Sequence, residues 1–454
     1  MKTSQRLRQL LLLVVDIFVL YASLFLTLLM RRGIVYDVAT FGVHVEYFSV
    51  IFIVWIVIYY VAGFYDTNND FDDPRFAGKL VWTSCIGAGF GVGYFYISSS
   101  MPILPKTVIA MDAAITIILM WLWRFSYSRL SRNRVEPQAV AFVGFDPALE
   151  GLIEEMRCHH RYGYKPVAFF DERGFPPPEG LQSFADAESF VWMASSLKVQ
   201  LVVISDEREM SAETRAAMLS LMRSSMRFMR LEVFYEYYLR KIPIGAISDF
   251  WFLENIDLRS KRVYKFAKRG LDALVASIGL VVFLPFGILV AAAVKLSSPG
   301  PIFFTQVRLG LGEKPFKIVK FRTMRVAGNT FAPTGKKDSR VTPIGNFLRK
   351  TRLDEVPQFI NIVRGDMSFI GPRPERPELA EELERRIPYY QQRLLVKPGI
   401  SGWDQVSGEY HSPSVEDTYK KLQNDLYYVK NMSIMLDISI TAKTIATVFA
   451  RAGQ

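Results

Sequence analysis

Cysteine and histidine are scarce in this chain of 454 residues, which contains two cysteines and four histidines. Cys85 lies in an apolar run and Cys158 in a polar segment, so neither a disulfide framework nor a cysteine-based zinc site is expected. The histidines lack the spacing of metal ligands, since the adjacent His159 and His160 cannot share one helix face. Structural or surface roles are expected for all four histidines, and the cysteine usage fits a reducing compartment.

The familiar phosphate-binding and targeting motifs are also missing. Residues 335–337 (Gly-Lys-Lys) lack the upstream glycine and the following hydroxyl residue of a Walker loop. No small-residue cleavage site follows the first apolar run, so a signal peptide is not expected. The formal charge of +11 comes without a nucleic-acid-binding motif, which favours anionic membrane lipids or phosphorylated substrates over nucleic acid as partners.

Apolar and aromatic residues are abundant, at 50% and 14% of the chain, and both favour a membrane protein. Four apolar stretches are near the length that crosses hydrocarbon: residues 10–30, 47–65, 80–98 and 108–123. Basic residues precede the first stretch and follow the fourth, which predicts that both ends lie in the cytoplasm. Residues 1–134 are therefore predicted to form an α-helical bundle of four transmembrane helices, with buried core helices as the alternative.

The pattern changes to soluble α/β from about Gln138, and residues 135–255 are predicted to form a Rossmann-like cytosolic domain. Its candidate strands are residues 139–145, 167–171 and 199–205. The turn after the first strand has one glycine, Gly144, where the dinucleotide fingerprint has three, although Asp171 could mimic the ribose-binding acid. A scaffold or docking role, with a possible homodimer through this domain, is favoured over ligand sensing.

Residues 256–454 form the third predicted domain, which begins with a membrane element. Six basic residues within 259–269 adjoin an apolar run that ends before Lys295, so the positive-inside rule places both ends of the run in the cytoplasm. Pro285 removes a helical hydrogen bond in mid-run and favours a bend. A re-entrant helix over residues 270–294 is therefore favoured over a simple span.

Arginine, lysine, glycine and proline are dense after this helix, as around Lys320, Arg322 and Arg340. Arginine offers planar bidentate donors to phosphate oxygens, so several converging arginines would neutralise a diphosphate. A solvated or headgroup-binding face is an equally good account of any single arginine. We interpret the segment as a phosphate-handling surface in a mainly α catalytic domain.

The stretch from Phe347 to Pro374 contains an adjacent carboxylate pair, Asp354 and Glu355, among basic residues. Pro357 suits the first turn of a helix and Gly365 its end, so the pair lies at a helix start, where backbone N–H groups favour anions. Acidic caps are common at such positions, which is the structural alternative. Two carboxylates suit diphosphate cleavage, because one can attack phosphorus while the other holds Mg²⁺.

From about Lys261 onward the chain resembles the polyprenyl-phosphate hexose-1-phosphate transferases, which are monotopic phosphoglycosyl transferases also called bacterial sugar transferases. The resemblance rests on Asp272 and Pro285 in the apolar run and on four ordered motifs, KFRTM, LRKTRLDEVPQ, RGDMSFIGPRP and KPGISGW. Four spans and a Rossmann-like insert before this core look like the large branch of the family, which initiates exopolysaccharide synthesis.

The resemblance implies a ping-pong reaction with a covalent intermediate. Asp354 would attack the β-phosphate of a UDP-sugar and release UMP, after which undecaprenyl phosphate or another polyprenyl phosphate takes the hexose-1-phosphate. Glu355 would help to hold Mg²⁺. The binding residues that the family implies are Arg349 for phosphate and Pro372, Arg373 and Pro374 for uridine.

The resemblance also implies a multi-pass protein of the bacterial inner membrane, with its catalytic domain facing the cytoplasm. Pro285 would bend the re-entrant helix so that the active site lies at the lipid headgroups. One departure is Arg352, where many relatives carry serine. The alternatives are a membrane scaffold or nucleotide sensor without turnover, and a glycosyl transferase that moves the sugar alone. No motif identifies the hexose, because specificity depends on pocket shape.

Overall fold

The computed structural model describes residues 2–32, 38–65, 74–97, 106–132, 137–158, 163–184, 186–205, 210–221, 226–325, 338, 340–407 and 414–452. Two compact units are present: residues 1–143, 153–202 and 211–227 form one, and residues 144–152, 203–210 and 228–454 form the other. The three domains with boundaries at 134 and 255 stay a prediction. The expectations for His159, His160, His411 and residues 335–337 lie outside the described residues.

Four long helices open the chain: α1 (Lys2–Arg32), α2 (Val38–Val61), α3 (Pro74–Ile97) and α4 (Lys106–Arg132). Leu20, Leu24 and Leu28 of α1 recur every four residues and are buried, so one face of this helix packs in the bundle. By length and hydropathy α1, α2 and α4 can cross a membrane. The third apolar stretch forms the helix α3, but its repeated glycines lower its hydropathy. It is therefore not among the helices that are apolar enough to cross a membrane.

Charged and polar side chains are buried between the helices of this bundle. Arg124 donates to Asp16 at 2.6 Å, which ties α4 to α1. Ser23 donates to Asp112 at 2.7 Å and makes a second polar contact between the same two helices. Buried ionisable groups are costly in hydrocarbon unless they are paired, so these contacts define which faces of α1 and α4 meet.

A five-stranded sheet follows, in the order β3-β2-β1-β4-β5. Its strands are β1 (Gln138–Val143), β2 (Tyr164–Phe170), β3 (Gln182–Phe184), β4 (Leu201–Ile204) and β5 (Arg227–Arg230), and its helices are α5 (Ala148–Cys158), α6 (Ala187–Ser196) and α7 (Ala212–Leu221). β1 pairs with β2, and β2 with β3, in parallel. The sequence located β1, β2 and β4, whereas β3 and β5 are too short and too exposed to produce a hydrophobic pattern.

The segment between this sheet and the basic cluster contains α8 (Leu231–Leu239) and α9 (Asp249–Asn255). Ile242 and Trp251 are buried in one apolar cluster with Leu422 and Leu426 near the other end of the chain. The backbone N–H of Ile242 also donates to the carbonyl of Gln423 at 3.1 Å. The segment therefore belongs to the core of the second unit.

The apolar run after the basic cluster forms one helix of 36 residues, α10 (Arg262–Ser297). It can cross a membrane by length and hydropathy, and only 6% of its most apolar stretch is buried. The helix continues through Pro285, so the proline does not divide it into two helices. A proline can bend a helix without interrupting it, so a continuous helix is compatible with the re-entrant path. That path stays a prediction.

The remaining elements of the second unit surround two small sheets. They are β6 (Phe303–Leu309), β7 (Pro315–Phe321), α11 (Pro343–Thr351), α12 (Phe359–Arg364), β8 (Ser368–Ile370), α13 (Pro377–Arg386), β9 (Gly399–Ser401), α14 (Trp403–Val406), α15 (Val415–Asn431) and α16 (Ile434–Ala452). β6 and β7 form an antiparallel hairpin, and β8 pairs with β9 in parallel. The helix content agrees with the predicted mainly helical catalytic domain.

Candidate active site

The carboxylate pair lies in a tight turn between α11 and α12. Arg352 follows the last residue of α11 and has φ of 59°, a left-handed backbone conformation that residues other than glycine rarely adopt. The chain then forms a short 3-10 helix, Leu353–Gln358, whose Pro357 needs no hydrogen-bond acceptor. α12 ends at Gly365, which has φ of 94°, so the predicted helix end is confirmed.

Asp354 is 9% exposed, and its Oδ1 has no hydrogen-bond partner among the described residues. Burial raises the pKa of this carboxyl above its usual value, and the neighbouring charge of Glu355 raises it further. A buried carboxylate that few groups stabilise is a stronger nucleophile than a solvated one.

Glu355 differs from its neighbour because cations surround it. Its Oε1 accepts from Nζ of Lys320 at 2.8 Å, and the guanidinium groups of Arg352 and Arg373 each lie 3.7 Å away. Burial alone would raise the pKa of Glu355, but Lys320 and Arg373 outweigh it, so this pKa is lowered. Burial also lowers the pKa of Lys320, although Glu355 opposes that shift. The adjacent carboxylates thus have opposite pKa shifts.

Arg349 approaches the pair from α11. Its Nε donates to Oγ1 of Thr323 at 2.8 Å, just beyond the end of β7. Its charge is one of those that oppose the raised pKa of Asp354. β7 and α11 therefore deliver Lys320 and Arg349, two of the residues predicted from sequence, to the same pair.

The loop Pro372–Glu375 is held rigidly beside the pair, because four consecutive carbonyl oxygens accept hydrogen bonds. These bonds come from Gly399 N at 2.9 Å, Arg393 Nη2 at 2.9 Å, Arg308 Nη1 at 3.2 Å and Leu309 N at 2.9 Å. Pro372 and Pro374 further restrict the backbone. The side chain of Arg373 remains available and extends towards Glu355.

Two predicted phosphate ligands, Arg322 and Arg340, are engaged elsewhere. Arg322 is 6% exposed and donates to carbonyl oxygens at the end of α10. Arg340 forms a bidentate pair with Asp338, with Nη2 to Oδ2 at 2.6 Å. The substrate-binding role of Arg322 stays a prediction, and in this structure its Nη atoms donate to backbone carbonyls and its side chain is buried.

Asp272, one of the two predicted structural residues of α10, contacts a strand near the carboxylate pair. Asp272 is buried and accepts from Oγ of Ser368 on β8 at 2.7 Å. Beyond it, a Cβ added to Gly279 would lie 2.7 Å from the ring of Phe359, so α10 and α12 approach each other closely. Asp272 therefore ties the first half of α10 to β8, and Gly279 lets the helix approach α12.

Two residues near the pair, Arg352 and Arg393, were not among the predicted site residues. Arg352 lies beside Glu355 with half of its side chain exposed, although the sequence marked it only as a departure from relatives. Arg393 forms a buried ion pair with Asp425 at 2.7 Å and supports the carbonyl of Arg373. Local charge density could have indicated Arg352, whereas no local signal exists for Arg393.

The carboxylate pair is the metal-binding group predicted from the sequence. The described residues contain no group of three or more histidine, cysteine or acidic side chains placed to hold a metal ion. Asp354 offers an oxygen without a partner, and Glu355 is ionised beside it. This donor set suits Mg²⁺, which binds through one or two carboxylates and takes its other ligands from water and phosphate.

The turn after β1, at the position of a Rossmann phosphate loop, makes hydrogen bonds within the protein. Asp146 accepts from the N–H of Ala148 at 2.7 Å at the start of α5, and Gly144 O accepts from Ser205. Asp171 pairs with Arg173 at 2.9 Å. The N–H of Ala148 and the carboxylate of Asp171, which could contact a phosphate or a ribose, thus have partners within the protein, and the scaffold role stays a prediction.

Comparison with known proteins agrees with the motifs. The model of the family described as bacterial sugar transferase matches residues 263–451. A UDP-glucose:undecaprenyl-phosphate glucose-1-phosphate transferase from Escherichia coli is 29% identical over 86% of this chain and 78% of its own length. An exopolysaccharide production protein from Rhizobium leguminosarum bv. phaseoli is 39% identical over 40% of this chain and 96% of its own length.

A UDP-N-acetylgalactosamine-undecaprenyl-phosphate N-acetylgalactosaminephosphotransferase from Aeromonas hydrophila is 46% identical over 195 residues. That match covers 42% of this chain and 45% of the Aeromonas protein, so the chain spans less than half the length of this relative. The residues around the carboxylate pair lie within the region that the family model matches.

Proposed function

This chain belongs to the bacterial sugar transferase family, and from that premise we propose that it transfers a hexose-1-phosphate from a UDP-sugar to undecaprenyl phosphate. The named activities of its relatives from Escherichia coli and Aeromonas hydrophila support this class of donor and acceptor. The observation that carries the proposal is the buried Asp354–Glu355 pair, in which one carboxylate is unpartnered and the other is held by cations.

The donor half-reaction uses Asp354. Its carboxylate oxygen forms a bond to the β-phosphorus of the UDP-sugar while the bridging P–O bond breaks, and UMP leaves with the bridging oxygen. In the acceptor half-reaction a phosphate oxygen of undecaprenyl phosphate attacks the same phosphorus. The aspartyl P–O bond then breaks, and the carboxylate of Asp354 is regenerated.

Cations around the pair neutralise the diphosphate. Arg349, Arg352 and Arg373 present guanidinium groups near the carboxylates, and arginine binds phosphate oxygens in a planar, bidentate manner. Lys320 stays on Glu355 and keeps that carboxylate ionised and in place. Glu355, with the free oxygen of Asp354, would hold Mg²⁺, which neutralises phosphate charge when bound.

The reaction belongs at the membrane surface, because a polyprenyl tail cannot leave the bilayer cheaply at about 0.8 kcal/mol per buried methylene. Both ends of α10 support a re-entrant path: Lys268 pairs with Asp437 at 2.7 Å, and Val294 packs on Phe321. A helix whose two ends pack on one catalytic unit favours entry and exit on the same, cytoplasmic side of the inner membrane. Labelling of a cysteine placed at Lys314 from outside intact cells would contradict this path.

The substitution Asp354→Asn tests the reaction. An amide keeps the size of the side chain but cannot form the acyl-phosphate, so UMP release should fall by at least about 1000-fold. UDP-glucose and UDP-N-acetylgalactosamine, each with undecaprenyl phosphate and Mg²⁺, are the substrates for this assay. The exposed Asp257→Asn change is the matched control and should retain full activity; equal turnover by both variants would contradict Asp354 as the nucleophile.

A further inference from the structure

The end of α10 is fastened to the catalytic hairpin by Arg322. The guanidinium group donates from Nη2 to Ser298 O at 2.6 Å and to Val294 O at 3.3 Å, and from Nη1 to Pro299 O at 3.0 Å. Carbonyl groups at a helix C-terminus have no intrahelical partners and carry the negative end of the helix dipole. A buried guanidinium therefore satisfies both the orphan acceptors and the local potential.

The residues on either side of Arg322 hold the catalytic groups. Lys320, two positions earlier, makes the 2.8 Å contact with Glu355, and Thr323, one position later, accepts from Arg349 at 2.8 Å. The backbone N–H of Arg322 also donates to Ile302 O at 2.9 Å. The short segment 320–323 thus joins the contacts of Glu355 and Arg349 to the C-terminal end of α10.

Apolar packing reinforces the same junction. Val294, in the last turn of α10, is buried against Phe321 and Leu348. Further back along α10, Val281 is 72% exposed and Leu289 is 68% exposed. Lipid contacts on such side chains determine how deeply α10 sits in the bilayer, because each buried methylene contributes about 0.8 kcal/mol.

We propose that Arg322 is a positioning residue that sets the height of the Asp354–Glu355 pair above the bilayer. It governs use of the lipid acceptor and has little influence on the soluble donor. This inference rests on the proposed function. A direct contact between Arg322 and phosphate is disfavoured, because reaching its buried Nη atoms would require displacement of three backbone carbonyls.

The test is Arg322→Lys in the full-length protein in lipid nanodiscs, with Arg385→Lys as the matched control. Arg385 lies on α13 with 74% of its side chain exposed. Lysine keeps the charge but cannot reach several carbonyls with a planar fork. We expect first-turnover UMP release from UDP-glucose within about twofold of the unaltered protein, and kcat/KM for undecaprenyl phosphate about tenfold lower.

A short-chain isoprenyl phosphate that dissolves in water gives a second measurement. Its phosphate can reach the carboxylate pair whatever the height of the pair above the bilayer. With this acceptor, kcat/KM of Arg322→Lys should therefore lie within about twofold of that of the unaltered protein. An equal loss in both half-reactions, or the same deficit with both acceptors, would overturn the positioning role. Absence of UMP release by the unaltered protein would overturn the proposed reaction and this inference together, and that result needs no variant to be recognised.

Discussion

Two groups of arginines lie around the catalytic pair, a more exposed group that we call the front group and a buried group that we call the rear group. The front group comprises Arg349, Arg352 and Arg373, and the rear group comprises Arg322 and Arg393. The side chains of Arg352 and Arg373 are 50% and 47% exposed and approach Glu355 only to 3.7 Å. Both rear arginines are 6% exposed and make hydrogen bonds of 2.6–3.3 Å with backbone carbonyls or Asp425.

Under the proposed function, burial and not residue type separates arginines that can bind a phosphate from arginines that support the fold. A guanidinium whose donors are already used cannot bind a phosphate without losing those bonds, which cost roughly 1–3 kcal/mol each when left unsatisfied. A half-exposed guanidinium exchanges water for phosphate instead. Changes in the front group should therefore lower kcat/KM for the UDP-sugar, whereas changes in the rear group should lower stability or displace the pair from the lipid acceptor.

The largest expected effect is the loss of stability in Arg393→Met. This change leaves the carboxylate of Asp425 buried without its partner, which costs about 3–5 kcal/mol. For the detergent-solubilised protein the melting temperature should drop on the order of 10 °C. Arg385→Met removes an exposed pair within α13 and is the control, with an expected change below about 0.5 kcal/mol.

The pH dependence of the stability lost in Arg393→Met gives a second test of the buried pair. Burial already raises the pKa of Asp425 to about 6, although Arg393 opposes the shift. A carboxyl whose pKa is higher in the folded state than in the unfolded state stabilises the fold as pH falls. Loss of Arg393 raises the pKa of Asp425 above about 6, so the difference in stability between Arg393→Met and the unaltered protein should narrow as the pH falls towards about 6. A difference that widens over this range would contradict the buried-pair account.

A smaller effect is expected for Arg373→Met, and it should appear in turnover. Loss of one bidentate phosphate donor should reduce kcat/KM for the UDP-sugar about 10- to 100-fold. Because the side chain is half exposed, the melting temperature should change little. A large loss of stability with unaltered kcat/KM would place Arg373 in the rear group and break the comparison.

Part of the site could be predicted from the sequence because its signals are local. Asp354 and Glu355 are adjacent, Gly365 marks the helix end, and Lys320 lies on a strand that faces the pair. In a β-strand successive side chains point to opposite faces, so a strand that continued past residue 321 would put Lys320 and Arg322 on one face. β7 ends at Phe321, however, and this alternation of side chains ends there.

The rest of the site depends on tertiary structure. Arg393 lies outside every motif, although KPGISGW begins nearby at Lys397, and its position follows from contacts with Asp425 and with the carbonyl of Arg373. The fold follows the same rule: long helices are visible as apolar runs, whereas the three residues of β3 take their position from pairing with β2.

The smallest effect expected from the front group concerns the acidic limb of the pH profile. Burial, followed by the charge of Glu355, raises the pKa of Asp354, while nearby cations lower it. A nucleophilic carboxylate must be ionised, so first-turnover UMP release should increase with pH on a limb that lies above the usual aspartate value. Glu355 has a lowered pKa and should already be ionised across this limb.

Arg352 is one of the cations that lower the pKa of Asp354. Arg352→Met removes that charge, so the acidic limb should move to higher pH. Arg322→Lys keeps its charge at the end of α10 and should leave the limb in place. First-turnover UMP release measured from about pH 4 to pH 8 separates the two variants. Movement of the limb to lower pH in Arg352→Met, or an equal shift in both variants, would remove the electrostatic distinction between front and rear arginines.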